Sequence, residues 1–126
     1  MDEQQKQIIE DYIKSYNRFD VAGMIRHLHE NVVFQNISNG QVDLETKGIN
    51  EFKRQAEAAT QYFDQRKQII ESWDFTASKV LIKISYEATL STDLPNGLKK
   101  GDTLTLQGTS EFEFENGKIK SIKDKS

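Results

Sequence analysis

The sequence predicts an α+β domain in which a strongly curved antiparallel sheet wraps around N-terminal helices and leaves an internal pocket between them. Two periodicities carry this expectation. Apolar residues recur every three or four positions through most of the first half of the chain, and every second position through most of the second half. Strands with one apolar face need a cover, and the amphipathic helices at the front of the chain are the cover available.

Helix one is predicted from about Gln4 to Phe19, where Ile9, Tyr12, Ile13, Tyr16 and Phe19 fall on one face. Asp20 is placed to cap a second helix from Val21 to about His29, with Val21, Met24, Ile25 and Leu28 repeating at helical spacing. The β-branched and aromatic run Val32 to Ile37 reads as a strand ending at the turn pair Asn39-Gly40. Ile49, Phe52, Ala56, Ala59 and Phe63 mark a third helix. Gln68 to Phe75 reads as a strand, with its connection within Ser72 to Ser78.

From Lys79 to Ser91 the apolar set Val80, Ile82, Ile84, Tyr86, Ala88 and Leu90 alternates with more polar residues. Leu94-Pro95-Asn96-Gly97 through Gly101 predicts a long hairpin tip. Leu104 to Phe114 alternates again, and Asn116-Gly117 turns the chain into a last strand from Lys118 to about Lys123. The expected order is helix, helix, strand, helix, then four strands as a meander, with Gly108 as the bend point of the sheet.

A chain of 126 residues supports one core, so residues 1–126 are read as one domain. Its 17 basic and 20 acidic residues leave a net charge of -3, which weakly repels a phosphate backbone and argues against nucleic acid as a partner. The absence of cysteine excludes disulfides and thiolate chemistry. The polar start from Met1 to Gln7 precedes no apolar stretch long enough for a signal peptide or membrane span, so no membrane partner and a cytoplasmic location are expected.

Tyr12, the junction Asn17-Arg18-Phe19-Asp20, Glu30-Asn31-Val32-Val33-Phe34-Gln35-Asn36, Gly48-Ile49 with Phe52, and Phe112 to Ile119 follow one another in an order that resembles the nuclear transport factor 2 superfamily and, within it, the SnoaL-like proteins. The resemblance covers nearly the whole chain. It implies a cone-shaped, cystatin-like fold with a mixed curved sheet around three helices, a pocket inside, and a homodimer formed through the outer sheet face. Members include polyketide cyclases, ketosteroid isomerase, epoxide hydrolases and transport factors, so the fold leaves the chemistry open.

Counting from the helix junction, the resemblance to ketosteroid isomerase puts that enzyme's tyrosine donor on Tyr12, its base on Asn36 and its acid donor on Ser110. Asn36 cannot take a proton, which argues against that reaction. A cyclase needs an acid facing the cavity. Glu87, Glu111 and Glu113 fall on the outer face, which leaves Glu71 and Asp74, whose facing is open because Ile69 and Trp73 compete with Ile70 for the inside. His27 and His29, two apart on a helix, point to different sides and do not make a metal site. Asn36-Ile37-Ser38 matches a glycosylation sequon, read as accidental without a secretory signal. No glycine-rich phosphate loop or nucleophile elbow is present, and no cofactor is expected.

The candidate ligand-binding residues are Tyr12, Tyr16, Phe34, Asn36, Trp73, Tyr86 and Ser110, amphipathic groups on the inferred inner faces. Buried hydroxyls left without partners cost about 1–3 kcal/mol each, which favours a cavity holding water or ligand. Three functions stay open: a binder of a small, mainly apolar molecule; a lyase, isomerase or cyclase acting on a ring-containing substrate; and a homodimeric interaction module whose outer face carries Thr89, Thr105, Gln107 and Thr109.

Overall fold

The fold is described from a computed structural model covering residues 2–95 and 97–126. Met1, and Asn96 of the expected hairpin tip, lie outside the described residues. Among the described residues three helices, α1 (Asp2–Asn17), α2 (Val21–Ile25) and α3 (Ile49–Thr60), are interspersed with six strands. These are β1 (Leu28–Ser38), β2 (Gln41–Lys47), β3 (Phe63–Phe75), β4 (Lys79–Leu90), β5 (Thr103–Glu115) and β6 (Lys118–Lys125). They form one mixed sheet in the order β2-β1-β6-β5-β4-β3, in which β1 and β6 run parallel and every other neighbouring pair is antiparallel.

The sequence omits β2 from its expected order. Asn39 and Gly40 both take positive φ, 53° and 79°, and turn the chain straight back along β1. Val42, Leu44 and Thr46 do alternate with Asp43, Glu45 and Lys47, but β2 is an edge strand and mostly exposed, so the apolar contrast is weak. The second helix is one short turn and ends at Ile25, because Leu28 to Asn31 already belong to β1. His27 therefore sits in the connection, 3.5 Å from Asp11, and His29 on a strand, 3.1 Å from Glu115.

The core lies between the helices and the inner face of the sheet. Ile9, Tyr12 and Ile13 of α1 and Phe52 and Ala56 of α3 pack with Val80, Ile82, Ile84, Phe112, Ile119 and Ile122. Inward positions on β4 follow the predicted alternation throughout. On β5 the alternation holds near Phe112, but Leu106 is 50% exposed because it lies beyond the helical cover. Glu111, on the outer face, is nearly buried by the side chains of Lys79, Lys123 and Lys125 within 3.6–3.8 Å.

The bends are not where the glycine suggested. Register shifts fall between Asn36 and Ile37, between Ile70 and Ser72, and between Glu113 and Phe114, whereas β4 and β5 pair without interruption through Gly108. Gly108 serves close approach instead: a Cβ there would stand 2.5 Å from the Lys125 carbonyl oxygen. Gly108→Ala is therefore expected to push the end of β6 away from β5 and to destabilise the protein by about 1–3 kcal/mol in urea denaturation.

Candidate functional site

One row of side chains crosses the inner face of the entire sheet. Strand register aligns Leu44 with Asn36, Asn36 with Asp124, Asp124 with Ser110, Ser110 with Ile82, and Ile82 with Trp73. The middle of this row is polar. Ser110 is fully buried and its Oγ donates to Asp124 Oδ1 at 2.7 Å. Burial raises the Asp124 carboxyl from 3.8 to about 6, and the hydrogen bond from Ser110 opposes the shift without cancelling it. A carboxyl in that range changes charge near neutrality, as a proton-transfer group must.

Asp124 is thus the inward-facing acid, and the two carboxylates considered from sequence are not. Glu71 and Asp74 are both exposed, and Glu71 accepts a hydrogen bond from Ser85 Oγ on the outer side. The extra residue in β3 between Ile70 and Ser72 resolves the competition for the inside, since it lets Ile70 and Trp73 both face inward and turns Glu71 and Asp74 out.

The polar row faces a cavity of about 340 Å³ between α1, α3 and the sheet. Tyr12, Tyr16, Phe34, Asn36, Tyr86 and Asp124 line it, with Phe52 and Arg66. Its apolar walls are rings in mutual contact: Phe34 and Phe52 meet edge-on with centroids 5.6 Å apart, and Tyr12 lies 6.4 Å from Phe52. Tyr16 donates its hydroxyl to that of Tyr86 at 3.1 Å. Burial raises the pKa of all three tyrosines, so they stay neutral donors near pH 7. A second, more open cavity of about 290 Å³ shares Tyr16, Asn36, Tyr86 and Asp124 as its dividing wall.

Ser110 lies behind Asp124 and lines neither cavity. Trp73 is elsewhere, stacked on Phe75 at 5.7 Å with Lys6 Nζ 5.4 Å above its ring. The two charged residues that line the larger cavity, Asp124 and Arg66, are not expected from the sequence. Asp124 falls beyond the expected end of the last strand, although it stands two residues past Ile122 and so on the same face. Arg66 falls before the expected start of β3, and nothing in its sequence neighbourhood marks an arginine as buried.

Arg66 is 4% exposed. Its Nε donates to the Tyr16 carbonyl oxygen at 2.9 Å, and the guanidinium carbon lies 3.7 Å from the Tyr16 ring centroid and 4.6 Å from that of Phe19. Phe19 holds φ at 60°, unusual for a bulky side chain, in the turn that brings its ring to this position. Nearby, Asn17 pins the end of α1 to β3 by exchanging two hydrogen bonds with the Gln68 backbone, at 3.1 and 2.8 Å.

Among the described residues no group of three or more histidine or acidic side chains is arranged to hold a metal ion. No helix of the described residues is long and apolar enough to cross a membrane.

A curved mixed sheet around helices, with the cavity inside the curve, defines the cystatin-like class of α+β proteins. Within it the chain belongs to the SnoaL-like domain family, whose model matches residues 9–122. A candidate polyketide cyclase from Xanthomonas campestris pv. campestris superposes with a TM-score of 0.82 at 18% identity, covering 98% of this chain and 90% of its own. AclR, a candidate hydroxylase from Streptomyces galilaeus, gives 0.76 at 19% identity, covering 98% and 88%. TerC, co-crystallised with polyporic acid, gives 0.74 at 18% identity, covering 96% and 89%. No curated protein matches the sequence. At such identities the likeness concerns the fold alone.

Proposed function

We propose that this SnoaL-like protein binds a small, mainly apolar, ring-containing molecule in the cavity beside Asp124. The observation that carries the reading is convergence: three tyrosines, Asn36 and one carboxyl from three different strands and a helix meet in one space otherwise walled by aromatic rings. That is the composition of a small-molecule site, and about 340 Å³ falls within the usual range of roughly 300–1,000 Å³. The neighbours described as a polyketide cyclase candidate and as co-crystallised with polyporic acid support a ring-containing ligand.

Thermal-shift titration with aromatic polyketides, steroids and terpenoids tests this. A ligand at a hundred times its dissociation constant adds about 2.7 kcal/mol of stability. The shift is expected to disappear in Ala59→Trp, which fills the cavity from α3. A shift of equal size in that variant would move the ligand elsewhere.

A second reading, an isomerase, lyase or cyclase, is favoured by Asp124. Its carboxyl, beside neutral tyrosine donors, is arranged to remove a proton adjacent to a carbonyl while a tyrosine hydroxyl stabilises the developing oxyanion. Exchange of such protons with deuterium in a bound ketone, followed by NMR, is the assay. Asp124→Asn is expected to slow it by about 10²–10⁴.

The homodimer belongs to the same proposal. Thr105 and Gln107 are exposed, and Ile69 is an exposed apolar residue opposite Ser85 on the outer surface, which suits self-association through that face.

A further inference from the structure

Arg66 contributes a positive charge to the wall of the cavity, and among the described residues no carboxylate lies within ion-pair distance of it. The ion pairs of the described residues involve Asp11, Glu45, Glu111 and Glu115, and none of them involves Arg66. Its Nη2 is fully enclosed and has no hydrogen-bond partner. Asp124 lines the same cavity, but its carboxyl is bonded to Ser110 and its titration is governed by burial and that bond. A buried guanidinium without a counterion is strongly unfavourable, and buried charges in proteins are as a rule paired.

The surroundings fix the group in place. Nε is committed to the Tyr16 carbonyl, and the guanidinium carbon lies over the rings of Tyr16 and Phe19. The end-on fork of the two terminal nitrogens is left without an acceptor among the described residues, and a ligand reaches Nη2 once the side chains enclosing it move apart. That fork matches the two oxygens of a planar carboxylate.

We propose that Arg66 is the anion receptor of this cavity, and that its ligand has an apolar ring body with a carboxylate at the Arg66 end. The inference rests on the ligand-binding reading of the same cavity and adds the charge of the ligand and its orientation. The ring lies against Phe34 and Phe52 while the carboxylate lies at Arg66, at the foot of β3.

Isothermal titration calorimetry with 2-naphthoate and 2-naphthamide, which share a ring body and differ in charge, tests it. Wild type at pH 7.5 and low salt is expected to bind the naphthoate at least tenfold more tightly than the amide. In Arg66→Gln the ratio of the two affinities is expected to fall to about one, whatever the absolute affinity of the amide, and Arg66→Lys is expected to keep part of the preference. Should Arg66→Gln fail to fold, the wild-type and Arg66→Lys comparisons still decide. Equal affinity of wild type for the two probes, or a tenfold preference that survives in Arg66→Gln, overturns the anion receptor and leaves the apolar cavity standing. Binding of neither probe overturns both.

Discussion

Asp124→Asn is expected to stabilise the protein by about 2–3 kcal/mol at pH 7.5 and to change its stability little near pH 3. The carboxyl has a value of about 6 in the folded protein against 3.8 in an unfolded chain. Between these values the native state holds more protons than the unfolded state, so stability falls as pH rises through that window. Below 3.8 both states are protonated and the effect is absent; above about 6 it is complete, because the fold then holds a desolvated anion. Asparagine occupies the same space, can accept from Ser110 and never ionises. Urea denaturation of both proteins at the two pH values measures the difference, and equal differences at both would remove the case for a strained acid. A site residue that weakens the fold is the usual sign of a group kept for function.

Phe112→Ala should have the largest effect of all, a loss of about 3–5 kcal/mol. Phe112 is fully buried, stands between Val80 and Ile122 in the strand register, and meets the Tyr12 ring edge-on at 6.0 Å. Its strand neighbours Val80 and Ile122 are held in place by the ladders on either side of β5 and cannot collapse into the space, so most of the cavity penalty applies. Against a total of roughly 5–15 kcal/mol for such a domain, the variant will be close to unfolding. A lower urea midpoint with an unchanged slope is the expected signature. Loss of less than about 1 kcal/mol would mean that the core between α1 and β5 is looser than its packing indicates.

What the sequence disclosed tracks how much apolar surface each element buries. α1, α3, β4 and β5 pack long stripes against the core, so Ile9, Phe52, Ile82 and Phe112 announce their periods clearly. The edge strand β2 buries little, and its alternation of Val42, Leu44 and Thr46 was too faint against its charged neighbours. Within β3 a strand is legible from Gln68 to Phe75, but its facing is not, for another reason: one extra residue beside Glu71 changes which side chains face inward, and no local composition reports a bulge. The site was half legible. Tyr12, Tyr16, Phe34, Asn36 and Tyr86 lie on periodic faces that predict their direction, while Asp124 and Arg66 are charged residues, for which periodicity is normally taken to mean solvent.

The position of β6 in the strand order has a mechanical corollary. The ribbon of β2 and β1 and the ribbon of β5, β4 and β3 are joined through β6 alone, and Asp124 rides on that seam. Parting the seam withdraws the carboxyl and splits the floor of the hollow in a single movement. The candidate site and the architecture of this protein therefore fail together at one strand.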